Sequence, residues 1–337
     1  MQRTKMTDVA KAAGVSTMTV SRALKKDGRI APATRRRILQ IVQQLGYVPD
    51  RLAGSFSSQR SGFIAVLVPS LNNPHFAESV RALAESIEAD GVQILLCHTN
   101  YAPAREEQMI ADLLPRRPEV IILTADAHSP RTRKLLADAG VPVIEICDLP
   151  PKPLGHSVGF SNVDAAKAMV HHLSRCGYRR IAYVGETNDA GTRGARRRQG
   201  FIHAMTELGL PADRIHRHAA PPVSMTEGRQ AFGEVIRRWP DTDAILCVSD
   251  PCAFGVMVEA IARGIRVPHD IGIAGFGDFE IGRCCVPSLT TVGIDAPGLG
   301  RATGDLLKRL PNLGIGHSQA VTLPVAILAR QSTRSVR

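Results

Sequence analysis

Apolar residues in the first 45 positions recur at helical spacing. After residue 62 they gather instead into short runs separated by amphipathic stretches, so the chain carries two different architectures. In the first stretch Met6, Val9, Ala10, Ala13, Val15, Val20 and Leu24 form one apolar face. They predict two short helices. Thr7 is expected to cap the first, with Asp8 favourable in its opening turn. Gly14 can take the left-handed angle that ends it. Ser16 is expected to cap the second, whose outer face carries Thr17, Met18, Ser21 and Arg22. A third helix is expected from Pro32, with Ile38, Ile41, Val42 and Leu45 packing inward at i, i+3, i+4 and i+7 and Gly46 at its end. Arg35, Arg36 and Arg37 read as a solvated face. Residues 47 to 62, YVPDRLAGSFSSQRSG, place Leu52 and Phe56 four apart around Gly54, which weakens any helix there.

From Phe63 onward FIAVLVP, VQILLCH, VIILTA and VPVIEIC read as buried parallel strands, with helices expected over 75 to 90, 104 to 114 and 129 to 139. RRIAYVG, DAILCVS and DIGIAGF continue the series, with helices near 162 to 176, 193 to 208, 225 to 238 and 251 to 263. This alternation predicts an α/β core of two interleaved subdomains with mostly parallel sheets, behind an all-α helix-turn-helix head. The expected divisions are residues 1–49 for the head, 50–62 for a hinge helix or linker, and 63–337 for the core.

Charge sharpens the picture. Residues 1 to 62 hold 12 Lys and Arg against 3 Asp and no Glu, a net +9, whereas the other 275 residues carry only +2 of the chain's +11. A basic excess confined to the first fifth is the footprint of a head that binds a polyanion. Short polar side chains and an arginine on the second helix suit phosphates and base edges in a major groove. No apolar run approaches 18 residues and no secretory signal is visible, so a cytoplasmic protein with no membrane partner is expected. The seven cysteines lack metal spacing, and their odd count argues against a disulfide framework. They read as buried thiols, with Cys284 and Cys285 as a minor candidate for oxidation. His171 and His172 are adjacent, so a helix points them apart. No metal site, no cofactor and no catalytic constellation is expected. GFGDFEIG has its third glycine misplaced for a dinucleotide fingerprint.

The stretches TDVAKAAGVSTMTVSRAL, LGYVPDRLA, IAVLVPSLNNPHFAE and IGIAGFGDFEIGRCCVPSLTTV closely resemble the LacI/GalR family of bacterial transcription regulators, over about residues 5 to 330. VSTMTVSR, VPSLNNPHFAE and AGFGDFEIG are most similar to the gluconate-operon repressors. The resemblance implies a periplasmic-binding-protein type of core with ligand in the cleft between subdomains. It also implies a homodimer on a near-palindromic operator of double-stranded DNA, with Thr7, Ser16, Thr17, Met18, Ser21 and Arg22 at the DNA. Arg51 and Leu52 would lie in the hinge, and Phe56 stands where a leucine normally wedges into the minor groove. The polar tail RQSTRSVR offers no heptads, so a dimer through the core is expected rather than a tetramer.

Effector contacts are expected at strand ends. These are Ser70, Asn73, His75 and Phe76 after the first strand, Thr124 and Asp126 after the third, and Asp148 after the fourth. Arg193 and Arg197 lie four apart on a helix face, suited to a carboxylate or phosphate. Arg197 also matches the family's ligand-binding arginine, three residues before Gly200 and Phe201. Ser249 and Asp250 end a later strand. Gly277 replaces the aspartate that grips neutral sugars in relatives, with Asp278 beside it, and Val223 aligns near the position of a sugar-stacking aromatic. Arginines kept while a carboxylate is lost point to a sugar acid such as gluconate or a ketogluconate. The expected function is repression of a sugar-acid utilisation operon, relieved by that ligand. The alternatives are a regulator answering to a neutral sugar or sugar phosphate, and a solute-binding protein.

Overall fold

The structure is a computed structural model that describes residues 4–24, 30–48, 61–188, 191–312 and 318–336. Its contacts divide the chain into two units, 1–61 and 62–337.

Among its described residues the first unit holds three helices, α1 (Met6–Ala13), α2 (Thr17–Leu24) and α3 (Pro32–Gln44). Gly14 ends α1 at φ 61°, and the Ser16 hydroxyl accepts the Thr19 amide at 3.2 Å at the start of α2. Val9, Ala10, Ala13, Val20, Ala23, Ile38 and Tyr47 form the buried centre. Three expectations are corrected. Thr7 lies inside the first turn of α1; the helix is capped from Lys5, whose amide donates to the Asp8 carboxylate at 2.8 Å. Leu45 is 39% exposed, and Tyr47 fills its place after Gly46 turns the chain at φ 59°. Arg35 and Arg37 do not simply form a solvated face. Their guanidinium groups donate to the carbonyls of Ala23 and Ala13, each at 3.0 Å, satisfying acceptors at the C-terminal ends of α2 and α1. Arg36 is exposed. The expected hinge residues Arg51, Leu52 and Phe56 lie outside the described residues.

The second unit begins with β1 (Phe63–Val68), α4 (Pro74–Ile87), β2 (Gln93–His98), α5 (Pro103–Leu113), β3 (Ile121–Thr124), α6 (Pro130–Ala139), β4 (Val143–Ile146) and β5 (His156–Gly159). There follow α7 (Asn162–Arg175), β6 (Ile181–Glu186), α8 (Arg193–Glu207), β7 (Ile215–Ala219), α9 (Met225–Arg238), β8 (Ala244–Cys247), α10 (Asp250–Ala262), β9 (Gly272–Gly277), α11 (Glu280–Cys284) and β10 (Thr290–Ile294). It closes with α12 (Ala296–Arg309), β11 (Ala320–Thr322) and β12 (Val325–Leu328). Two six-stranded sheets result, ordered β11-β5-β4-β3-β1-β2 and β12-β10-β9-β8-β6-β7. Every pairing is parallel except β10 with β12. The chain passes from one lobe to the other after β5, after β10 and after β11.

Helix α12 is absent from the sequence expectations because Gly298, Gly300 and Gly304 disguise it as a loop. Gly300 and Gly304 serve close packing against α4, whereas Gly298 makes room for the capping Asp295 carboxylate. A Cβ at Gly300 would collide with the Ser79 carbonyl of α4, and one at Gly304 with the Ser86 hydroxyl. The first lobe buries the His128 imidazole between two carboxylates, Nδ1 lying 2.7 Å from Glu106 and Nε2 3.3 Å from Glu145. Burial opposes its charge, but the hydrogen bonds to Glu106 and Glu145 outweigh burial and raise its pKa to about 9. A pKa raised on folding stabilises the native state fully below the unfolded value, near 6.5. That contribution is lost as pH rises through about 9. The melting temperature is therefore expected to fall between pH 6.5 and 9.5, by the equivalent of roughly 1–3 kcal/mol. His128→Ala should lose this slope. A parent melting temperature flat over that range would overturn the charged-triad assignment.

Candidate functional site

A cavity of about 450 Å³ opens between the two lobes. Strand ends build its walls, because parallel strands deliver their C-terminal loops to one edge of each sheet. Ser70 and Asn73 come from the β1–α4 turn, and Thr124 and Asp126 from the end of β3. The other lobe contributes Glu186 from the end of β6, Arg193 and Arg197 from the first turns of α8, and Ser249 after β8. His75, Phe76 and Gly277 line an adjoining cavity of about 60 Å³ that also reaches Arg193 and Arg197. Val223 lines the main cavity, supplying an aliphatic wall where an aromatic would stack.

The two arginines are not equivalent. Arg193 is already paired, its Nη2 lying 3.2 Å from Asp126 and its backbone amide donating to the same carboxylate. Burial opposes its charge, but Asp126, together with Cys147, Tyr101 and Glu186, outweighs that and raises its pKa, so the guanidinium stays protonated. Arg197 donates from Nε to the Asn162 side-chain carbonyl at 2.8 Å and from Nη1 to the Val248 carbonyl at 2.7 Å. Its guanidinium lies 3.6 Å from the Phe276 ring centroid. Burial, and then the neighbouring Arg193 charge, lower its pKa to about 10. It remains cationic at neutral pH, in a place that disfavours an uncompensated cation. Among the described residues, none of its hydrogen-bond partners is a carboxylate.

Three further members were missed at the sequence level. Glu186 is the last residue of β6, so the strand-end rule should have selected it; burial raises its pKa. Asn162, wholly buried at the first crossing between lobes, also donates to the Cys147 carbonyl at 3.0 Å and so aims Arg197. Tyr101 reaches the cavity from a left-handed backbone at φ 56°, uncommon for a residue with a Cβ.

Three expected members stand outside both cavities. Asp148 is buried against Arg196, 2.8 Å away. Asp250 is buried and accepts from the Thr291 hydroxyl at 2.6 Å and the Phe279 amide at 2.8 Å, so it fixes loops. Asp278 holds Arg330 at 2.6 Å and Arg283 at 3.1 Å. Among the described residues, the carboxylates facing the main cavity are therefore Asp126 and Glu186, together with Glu106 beside His128. The cysteines are only partly as expected. Cys147, Cys176, Cys247 and Cys252 are buried, Cys97 and Cys285 half-buried, and Cys284 exposed.

In the first unit α2 presents Thr17, Met18 and Arg22 to solvent, with Met18 62% exposed, while Ser21 is half-buried and Ser16 caps the helix. Thr17 and Met18 stand in the first turn of α2 and Arg22 in its last.

Residues 5–50 match the model of bacterial regulatory proteins of the lacI family, and residues 170–333 match a periplasmic binding protein-like domain. The HTH-type transcriptional regulator GntR of Escherichia coli K12 is 34% identical over 291 residues, covering 86% of this chain and 87% of that protein. The chain belongs to the LacI family. IdnR of Escherichia coli K12, also an HTH-type transcriptional regulator, is 32% identical over 318 residues, 94% of this chain and 95% of the relative. A crystal structure of a LacI-family regulator from Silicibacter pomeroyi is 31% identical, with a TM-score of 0.89, covering 98% of this chain and all of that one. A second from the same organism is 43% identical over 80% of this chain and 98% of its own, with a TM-score of 0.77. The family relationship accounts for both units, since a LacI regulator couples a DNA-binding helix-turn-helix to an α/β effector core. These relatives are transcription regulators rather than enzymes. Among the described residues no helix is long and apolar enough to cross a membrane.

Proposed function

We propose that this LacI-family regulator takes a six-carbon sugar acid, of the gluconate or ketogluconate class, into the cavity between its lobes. It acts as a cytoplasmic homodimeric repressor that leaves a palindromic operator when occupied. The observation that carries the ligand reading is Arg197, a buried cation whose hydrogen-bond partners are neutral oxygens. A ligand carboxylate would supply the missing counter-charge, while Asp126, Glu186 and Asn73 can accept from or donate to hydroxyls along an open chain. The likeness to gluconate-operon regulators supports the same class. A second reading, a neutral sugar, is favoured by the Asp126–Arg193 pair, which removes one of the two positive charges from play. Calorimetry with gluconate, 2-ketogluconate, glucose and galactose separates the two. The acids are expected to bind and the neutral sugars to fail; glucose binding as tightly as gluconate would overturn the acid reading. A gel shift on the chain's own upstream DNA, released by the acid that binds, tests the repressor reading.

Thr17, Met18 and Arg22 are assigned to base edges. Met18 lacks a strong donor and suits a thymine methyl group. Arg22→Ala is expected to cost about 1–3 kcal/mol and to relax specificity at one operator position. Equal weakening on every sequence would make Arg22 a phosphate contact instead.

A further inference from the structure

A second polar cluster lies apart from the effector cavity, between edge strand β7 and helix α9. His216 and His218 stand two apart on β7, so their side chains share one face of the sheet. Gln230 and Glu234 stand four apart on α9 and share one stripe of that helix. Strand and helix meet so that His216 Nε2 lies 3.1 Å from His218 Nδ1 and 3.3 Å from a Glu234 carboxylate oxygen. All three donor atoms fall within 4.8 Å of one another. Tetrahedral zinc with bonds of about 2.0–2.1 Å has ligand–ligand edges of about 3.3–3.4 Å, close to these separations.

The surroundings fit the same geometry. His218 turns its far nitrogen, Nε2, toward the Gln230 side-chain oxygen at 3.4 Å. Donation from Nε2 to that oxygen leaves the Nδ1 lone pair facing the cluster, the outer hydrogen bond typical of a metal-bound imidazole.

We infer that His216, His218 and Glu234 form a binding site for a divalent d-block cation of the zinc class, with Gln230 as the residue that positions His218. Two imidazoles and one carboxylate leave at least one coordination position for water. The site would clasp β7 to α9 across the segment 220–224, in which Pro221, Pro222, Val223 and Ser224 line the effector cavity.

Full-length protein stripped with chelator is titrated with Zn²⁺ by calorimetry and with Co²⁺ by visible absorption. One Zn²⁺ per chain is expected, with cobalt d–d bands and no thiolate charge-transfer band. His216→Ala and His218→Ala should each weaken zinc binding by at least about 100-fold, and Gln230→Ala by about 10–100-fold. Glu234 is 46% exposed, so Glu234→Gln tests the site in a chain that folds normally; at least a ten-fold loss is expected. The inference is overturned if the parent takes up no stoichiometric zinc, if both histidine variants and Glu234→Gln bind as the parent does, or if cobalt reports a cysteine thiolate.

Discussion

Replacing Arg197 by alanine is expected to weaken sugar-acid binding sharply while leaving operator binding intact. A hydrogen bond to a charged group contributes about 1.5–3 kcal/mol net, so losing the guanidinium should weaken gluconate binding by roughly ten-fold to a few hundred-fold. Arg197→Lys keeps the charge but loses the planar fork that spans Asn162, Val248 and the Phe276 face, and should recover only part of the affinity. Because Arg197 also ties α8 to the first crossing between lobes, the variants are compared by melting temperature without ligand. A change in that baseline reports structure, and a change in the ligand-induced shift reports binding. Calorimetry on both variants decides the matter. Normal acid affinity in Arg197→Ala would remove the anionic-ligand reading.

Ile38→Ala should abolish operator binding without touching the effector core. Ile38 is fully buried at the centre of three helices of 8, 8 and 13 residues, all too short to persist alone in water. Truncating a buried isoleucine costs about 2–5 kcal/mol, and a head of this size has about 3–5 kcal/mol in all. The variant head should be largely unfolded at room temperature. The unit from Gly62 onward shares none of that packing and should keep its melting transition and its ligand-induced shift. A gel shift with calorimetric melting checks this. Normal operator affinity in Ile38→Ala would mean the head is far more stable than its core implies. Simultaneous loss of the core transition would mean the two units do not fold independently.

Local chemistry was legible where one residue's own properties decide the outcome. Gly14 and Gly46 end helices because they adopt the left-handed backbone, Ser16 caps because its hydroxyl meets an amide three residues on, and Pro32 opens α3 with its preset φ. Most buried strands announced themselves as continuous apolar runs, but VQILLCH, read the same way, became edge strand β2 with Leu96 41% exposed, because only one neighbour pairs with it. The charge boundary near residue 62 coincides with the division into two units. Asp126 and Ser249 were found because parallel strands bring their C-terminal ends to one edge, and Arg193 and Arg197 because they stand four apart on one helix face and Arg197 matches the family's ligand-binding arginine.

Tertiary structure decided what depends on partners distant in sequence. Gly300 and Gly304 of α12 look like helix breakers until α4 lies against them, and β7 carries too much polarity to read as a strand until β6 pairs with it. The arginine pair looked symmetrical along α8, and only the fold hands Asp126 to Arg193 and neutral oxygens to Arg197. Asp148, Asp250 and Asp278 sit at strand ends like true pocket residues, yet each is spent on a neighbour brought in by another element. Periodicity and strand position tell which side chains reach an edge. Which of them remain available there is set by charge pairing in three dimensions, and the sequence carries no local signal for it.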